Sequence, residues 1–387
     1  MTKRMTGDER LLTQAKLGDE LMRLKRGSIN RRHFLAVTGL GLAAATLAPL
    51  SSLRRNEALA EDLGSRVLLA TWPNYHDLAT FEAFTRATGV TVELNTFGSN
   101  EDMLYRLEHD NTGWDLLVPT NYAISTYQQR DLIEPLDLDR LPSFKPQDHV
   151  RRFAEKGRIS EATYAVPKNW GTTGFAYNTS TLKTDLRTWK DFFEVARGAA
   201  SGRTILHDYQ LTTIGNALVA LGYSFNSVRP GELDQAEALL MDVKPHLLAI
   251  NSDYQPAIRS TDAWLTMCWT NDAMQMRRDL THIQYVIAAD GGEIFCDFYA
   301  ISAKGPNKPG AYALLDFLLR PENAVQEHLH TGTPTTNAEV FRKLPPEATE
   351  NLVIYPDEAA LSPLEFGAAV TLTNPRRAEI MARLKSI

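Results

Sequence analysis

The chain has 387 residues, 43% hydrophobic and 23% charged, a net charge of −6 and two cysteines. That length exceeds one ordinary core and points to two domains, and the composition excludes disordered and fibrous classes. Charge is uneven: residues 1–60 hold 11 basic and 5 acidic side chains and the rest 30 and 42, a balance that disfavours nucleic acid as a partner. Cys268 and Cys296 lack any metal-ligand spacing, and both a disulfide and two buried thiols are compatible with them.

In chain order, Asn30-Arg31-Arg32-His33-Phe34-Leu35 opens an apolar stretch running to Leu50, followed by Arg54-Arg55 and Ala58-Leu59-Ala60. The pattern resembles a twin-arginine export signal over residues 1–60, cleaved near Ala60, and the apolar segment is shorter than the roughly 20 residues that span a bilayer. An uncleaved anchor is the alternative.

Beyond it, Arg66 to Ala70 ends in Thr71-Trp72-Pro73-Asn74-Tyr75, and Leu78, Phe81 and Phe84 follow at helical spacing. This reads as a buried strand, a turn and a helix. Val90–Leu94 and Trp114–Thr120 read as further strands, with Ser99 or Asn100 capping a helix between them. Strands alternating with helices predict an α/β fold with mostly parallel sheets.

Glycines threaded through Trp170–Asn178 predict an extended segment in close approach, crossing between domains. Helices are expected near Trp189–Ala196, Leu211–Leu221 and Glu232–Val243, and strands at Thr204–Leu206, Trp264–Trp269 and Ile283–Ile287. Glu293–Ile301 returns as extended chain, and helices cover Pro309–Leu319, Glu322–His330 and Arg376–Leu384.

In open α/β sheets ligands sit beyond the carboxyl ends of strands. The residues delivered there include Trp72, Tyr75, Thr120, Tyr122, Asp208, Tyr209, Trp269, Asp272, Phe295 and Asp297. Aromatic faces attract organic cations, and a buried carboxylate supplies the opposite charge. Asp208 and Asp272 also suit helix caps, whereas Asp297, between Phe295 and Phe298, is the leading ligand candidate. No P-loop, GxSxG, HExxH or dinucleotide fingerprint is present, so no catalytic, cofactor-binding or metal-ligating residue is assigned.

Several stretches, in order, resemble the periplasmic spermidine/putrescine-binding proteins of ABC importers. They include Trp72-x-x-Tyr75, Ser99-Asn100-Glu101-x-Met103, Asp115-Leu116-Leu117-Val118-Pro119-x-x-Tyr122, Trp170-Gly171-Thr172 and Leu221-Gly222-Tyr223-Ser224. Asn251-Ser252-Asp253, Gly291-Gly292 with Asp297, Phe317 to Pro321, Thr333 to Asn337 and Tyr355-Pro356-Asp357 complete the series. The resemblance implies a two-lobed type II periplasmic-binding fold with crossover hinge strands. Lobe 1 would comprise 64–173 with 297–335, and lobe 2 would comprise 174–296 with 336–387.

It further implies a periplasmic receptor, not an enzyme, that captures a polyamine-like cation for an inner-membrane ABC permease. Trp72, Tyr75, Thr120, Tyr122, Tyr209, Trp269, Phe295 and Asp297 would meet the ligand, with Asp297 pairing with an amine.

The chain departs from the family pattern at five positions. Tyr209 and Thr212 stand where the family carries an aspartate and a glutamate, Thr333 where it carries a tyrosine, Gly367 where it carries a glutamine, and Pro73 where it usually carries a hydroxyl residue. Lost charge at one end predicts a diamine or a monoamine with a polar tail rather than a triamine held at both ends. Two other readings share these features: the same receptor with a different small solute, and an exported cofactor enzyme.

Overall fold

A computed structural model describes residues 62–386. The export-signal reading of residues 1–60 lies outside the described residues. Strands in chain order are β1 (Arg66–Thr71), β2 (Thr91–Thr96), β3 (Leu116–Leu117), β4 (Arg158–Ile159), β5 (Ala162–Thr163) and β6 (Val166–Asn178). They continue with β7 (Thr204–Leu206), β8 (Leu247–Ile250), β9 (Leu265–Trp269), β10 (Ile283–Val286), β11 (Gly292–Ile301) and β12 (Leu364–Phe366).

Helices of eight residues or more are α1 (Leu78–Thr88), α2 (Asn100–His109), α3 (Trp189–Arg197), α4 (Gln210–Ala220) and α5 (Pro230–Val243). The later ones are α6 (Thr270–Arg277), α7 (Lys308–Leu319), α8 (Pro321–Thr331) and α9 (Pro375–Lys385).

Local chemistry sets these boundaries. The Asp77 carboxylate caps α1 by accepting from the Ala79 N–H at 3.0 Å, and Gly89 stops it in the left-handed region at φ 80°. Ser99 Oγ caps α2, accepting from Asp102 N at 3.1 Å. Thr188 and Asp191 form a reciprocal capping box at the start of α3.

The main sheet runs β2-β1-β3-β11-β6-β9-β7-β8, with β10 beside β6 and β12 beside β11. Its outer parts are parallel: β1 pairs with β2 and β3, and β7 with β8 and β9. Its middle is antiparallel, where β11 joins β3 and β6, and β6 joins β9. β6 and β11 are buried along their whole length and are shared by both halves of the sheet.

Val67, Leu69, Leu116 and Ile301 pack with Phe84, Leu314 and Leu315 in one core. Phe175, Trp189, Phe192, Leu206, Ile214 and Leu240 belong to a larger one.

The apolar stretch Trp114–Thr120 yields only a two-residue strand. Its neighbour Asp115 turns its carboxylate onto the N–H groups of Leu68 (2.9 Å) and Asn307 (2.7 Å), and Pro119 has no N–H to give. β8 and β12 are short strands that the hydrophobic pattern does not announce. Cys268 and Cys296 are both free and buried. Among the described residues, no helix is long and apolar enough to cross a membrane.

Candidate functional site

The carboxyl end of β1, the Thr120 turn, the face of β11 and the ends of β7 and β9 converge on one cavity of about 210 Å³. Trp72, Tyr75, Thr120, Tyr209, Trp269, Phe295 and Asp297 all line it. Tyr122 does not. The chain turns after Thr120, and Tyr122 drops into the core, where its Oη accepts from Asn100 Nδ2 at 3.2 Å. Asn100 in turn accepts the Thr120 N–H through Oδ1 (3.1 Å), so Tyr122 supports the turn from behind.

Asp297 is 4% exposed and held from two sides. Thr120 Oγ1 donates to Oδ1 at 2.6 Å, and Tyr75 Oη donates to Oδ2 at 2.5 Å. An isolated bridge pairs Thr120 with Asp297, and a register shift follows Asp297 in the β6–β11 ladder, which aims this side chain locally. Burial pushes its carboxyl up to about 6, against the opposing pull of the two hydroxyls and of Lys168. Lys168 is buried, with Nζ 4.4 Å from the Tyr75 ring centre, but its closest carboxylate is Glu327 at 3.9 Å. It does not line the cavity.

Three of the aromatic walls have defined neighbours. Trp72 donates through Nε1 to Val118 O (3.1 Å) and meets Phe97 edge-on, with ring centres 4.6 Å apart. Trp269 stacks on His207 at 4.1 Å. Phe295 lies against Gly171, where a Cβ would come within 2.6 Å of its ring, so glycine is what permits the approach.

Four further carboxylates line the same cavity: Asp208, Asp253, Asp272 and Glu293. Neither Asp208 nor Asp272 caps a helix. Asp208 accepts from Ser252 Oγ at 2.5 Å while Tyr209 takes the N-cap position of α4 with no side-chain bond, and Asp272 sits inside the first turn of α6. Asp272 accepts from Tyr254 Oη (2.5 Å) and Gln255 Nε2 (2.8 Å), and burial raises it to about 6.

Glu293 is 1% exposed, accepts from Thr173 Oγ1 at 2.5 Å through Oε2, and is raised to about 8 by burial. The expectation of lost charge at one end is therefore not met: Tyr209 and Thr212 are neutral, but other chain segments bring carboxylates to the cavity. Asp253 lies in a quoted motif, and Glu293 shares the strand parity of Phe295 and Asp297, a signal that could have singled it out. Thr333 is buried away from the cavity, accepting from Asn169 Nδ2 at 3.2 Å.

Among the described residues, no Lys, Arg or His lines this cavity. Aromatic rings and carboxylates without a facing cation can stabilise positive charge and disfavour an anion. With the two-lobed fold, the class so defined is that of the extracellular solute receptors.

The chain belongs to the family described as bacterial extracellular solute-binding proteins, whose profile it matches over residues 79–353. It is 30% identical to the spermidine/putrescine-binding periplasmic protein of Escherichia coli strain K12, over 92% of this chain and 98% of that one. It is 26% identical to the putrescine/agmatine-binding protein of Pseudomonas aeruginosa, over 84% of this chain and 93% of that one. Among solved structures, the spermidine/putrescine ABC transporter substrate-binding protein of Streptococcus pneumoniae is similar, with a TM-score of 0.68 and 25% identity. That match covers 83% of this chain and 99% of that one.

Proposed function

We propose that the chain is the extracytoplasmic receptor of an ABC importer and binds a polyamine-like cation of the putrescine or spermidine type. It hands that cation to an inner-membrane permease and performs no chemistry on it. The observation that carries this reading is a single cavity lined by five carboxylates and by the rings of Trp72, Tyr75, Tyr209, Trp269 and Phe295, with no facing basic side chain. The polyamine names of the relatives support it. An ammonium on Asp297 would complete the set of donors that Thr120 and Tyr75 begin, and desolvated rings add roughly 0.5–2 kcal/mol each as cation–π contacts.

Export of the folded protein through the twin-arginine translocase, with cleavage near Ala60, belongs to the same proposal. So does closure of lobe 1 (64–173 with 297–335) on lobe 2 (174–296 with 336–387) about β6 and β11. Thermal-shift screening of the purified protein against putrescine, spermidine, neutral amino acids and sugars tests it, because a ligand that binds only the native state raises the melting temperature. Stabilisation by the amines alone is expected, and stabilisation by sugars or amino acids without amines would overturn the reading.

A further inference from the structure

One face of β11 carries Glu293, Phe295 and Asp297 in succession, since alternate residues of a strand share a face. All three line the cavity. Four residue steps at about 3.3 Å set the backbone positions of the two carboxylates about 13 Å apart, with the Phe295 ring between them. Asp297 has both oxygens engaged by hydroxyl donors. Glu293 differs: Thr173 occupies Oε2, while the buried Oε1 has no hydrogen-bonding partner among the described residues. An unpaired buried oxygen on a side chain lining a cavity calls for a donor from a ligand.

We infer that Glu293 is a second cation anchor: its free oxygen takes the far ammonium of a linear diamine or triamine whose near ammonium sits on Asp297. The methylenes between them pack on Phe295. This assignment rests on the amine reading of the cavity and adds to it a preference for two separated charges over one.

The groups around Glu293 give it a second signature. Its carboxyl is held up by burial and by the Asp297 and Glu101 carboxylates, and its charge is felt by Tyr209 and Tyr122. At neutral pH it carries its proton before the ligand arrives. Pairing with an ammonium ionises it, and that proton leaves to solvent.

The test is titration calorimetry at pH 7 in phosphate and in Tris, whose different ionisation enthalpies report proton release, with spermidine and n-octylamine as probes. Wild-type protein is expected to prefer spermidine at least tenfold and to release close to one proton on binding it. Glu293→Gln, which keeps an acceptor for Thr173, is expected to lose spermidine affinity at least tenfold along with most of the proton release. Spermidine affinity within twofold of wild type in the variant would overturn the assignment and leave the amine reading standing. Wild-type protein that binds neither amine overturns both. Should the variant not fold, wild type alone decides, since equal affinity for spermidine and n-octylamine overturns the second anchor.

Discussion

Asp297 and Glu293 have opposite consequences for binding and for stability. An amine with a pKa near 10 stays charged across the working range, so the carboxylates set the pH dependence of capture. Asp297 is pushed up to about 6 in the free protein, so affinity for a monoamine such as n-octylamine, which would engage Asp297 alone, is expected to hold above pH 7 and to fall about tenfold per unit below 6. Asp297→Asn should lower affinity at pH 7.5 by one to two orders of magnitude and remove that acid limb, measured by calorimetry between pH 5 and 8. A variant that keeps the wild-type affinity would show that Asp297 is not the anchor.

For folding, the sign is reversed. A carboxyl whose pKa is higher in the folded state than in the unfolded one contributes stability below the unfolded value, and loses it as pH rises through the folded value. For Glu293 the window runs from about 4.5 to about 8, and ionising it in the ligand-free protein costs on the order of a few kcal/mol. Glu293→Gln should therefore raise the urea midpoint of the ligand-free protein at pH 8.5, with the difference from wild type shrinking towards pH 5. A difference that does not change with pH would refute the assignment of that burial cost to the carboxylate.

At the scale of elements, β6 and β11 position the site, and two glycines of β6 do different work. A Cβ on Gly174 would stand 2.1 Å from the Val286 carbonyl oxygen, a backbone atom of β10 that cannot swing aside. A Cβ on Gly171 would meet the edge of the Phe295 ring at 2.6 Å, and that ring can move into the cavity. Gly174→Ala is expected to cost about 1–3 kcal/mol or more in stability with no direct effect on the cavity. Gly171→Ala should keep most of the stability and weaken ligand affinity about tenfold, because Phe295 then fills ligand space. Melting temperatures and calorimetry on the pair check this split, and equal losses of stability would refute it.

The same elements show what the chain makes legible. Thr71-Trp72-Pro73-Asn74-Tyr75 and Trp269 are readable because an apolar run ending in a turn is local information, and strand ends point at the cavity. The long glycine-bearing segment at 170–178 is readable as extended chain because glycines threaded between β-formers are local information too. Tyr122 misleads because its side-chain direction depends on how the turn after Thr120 packs on Asn100, a contact 22 residues away. Glu293 hides because a glutamate entering a strand ordinarily reads as solvated. Its burial comes from β11 lying between β3 and β6, which only the assembled sheet determines. Asp208 and Asp272 look like caps since they precede or open helices, yet side chains distant in sequence occupy them.

Across the whole molecule, the sheet order places Trp72 and Trp269 on opposite flanks of the shared strands. Trp72 follows β1 on the β2-β1-β3 side, and Trp269 ends β9 on the β9-β7-β8 side. A guest resting on Asp297 and touching both rings links the two flanks, while β6 and β11 are the continuous connections between them. The proposed hinge motion about such connections would exclude water from the guest and strengthen each charge contact. Ligand binding is therefore expected to reduce the radius of gyration in small-angle scattering and to shift tryptophan fluorescence. Trp269→Ala should bind more weakly and show a smaller contraction at saturating spermidine, because the far flank has lost its contact. Were the contraction in that variant as large as in wild type, Asp297 and the near flank would suffice to drive closure, and the ring of Trp269 would contribute affinity alone.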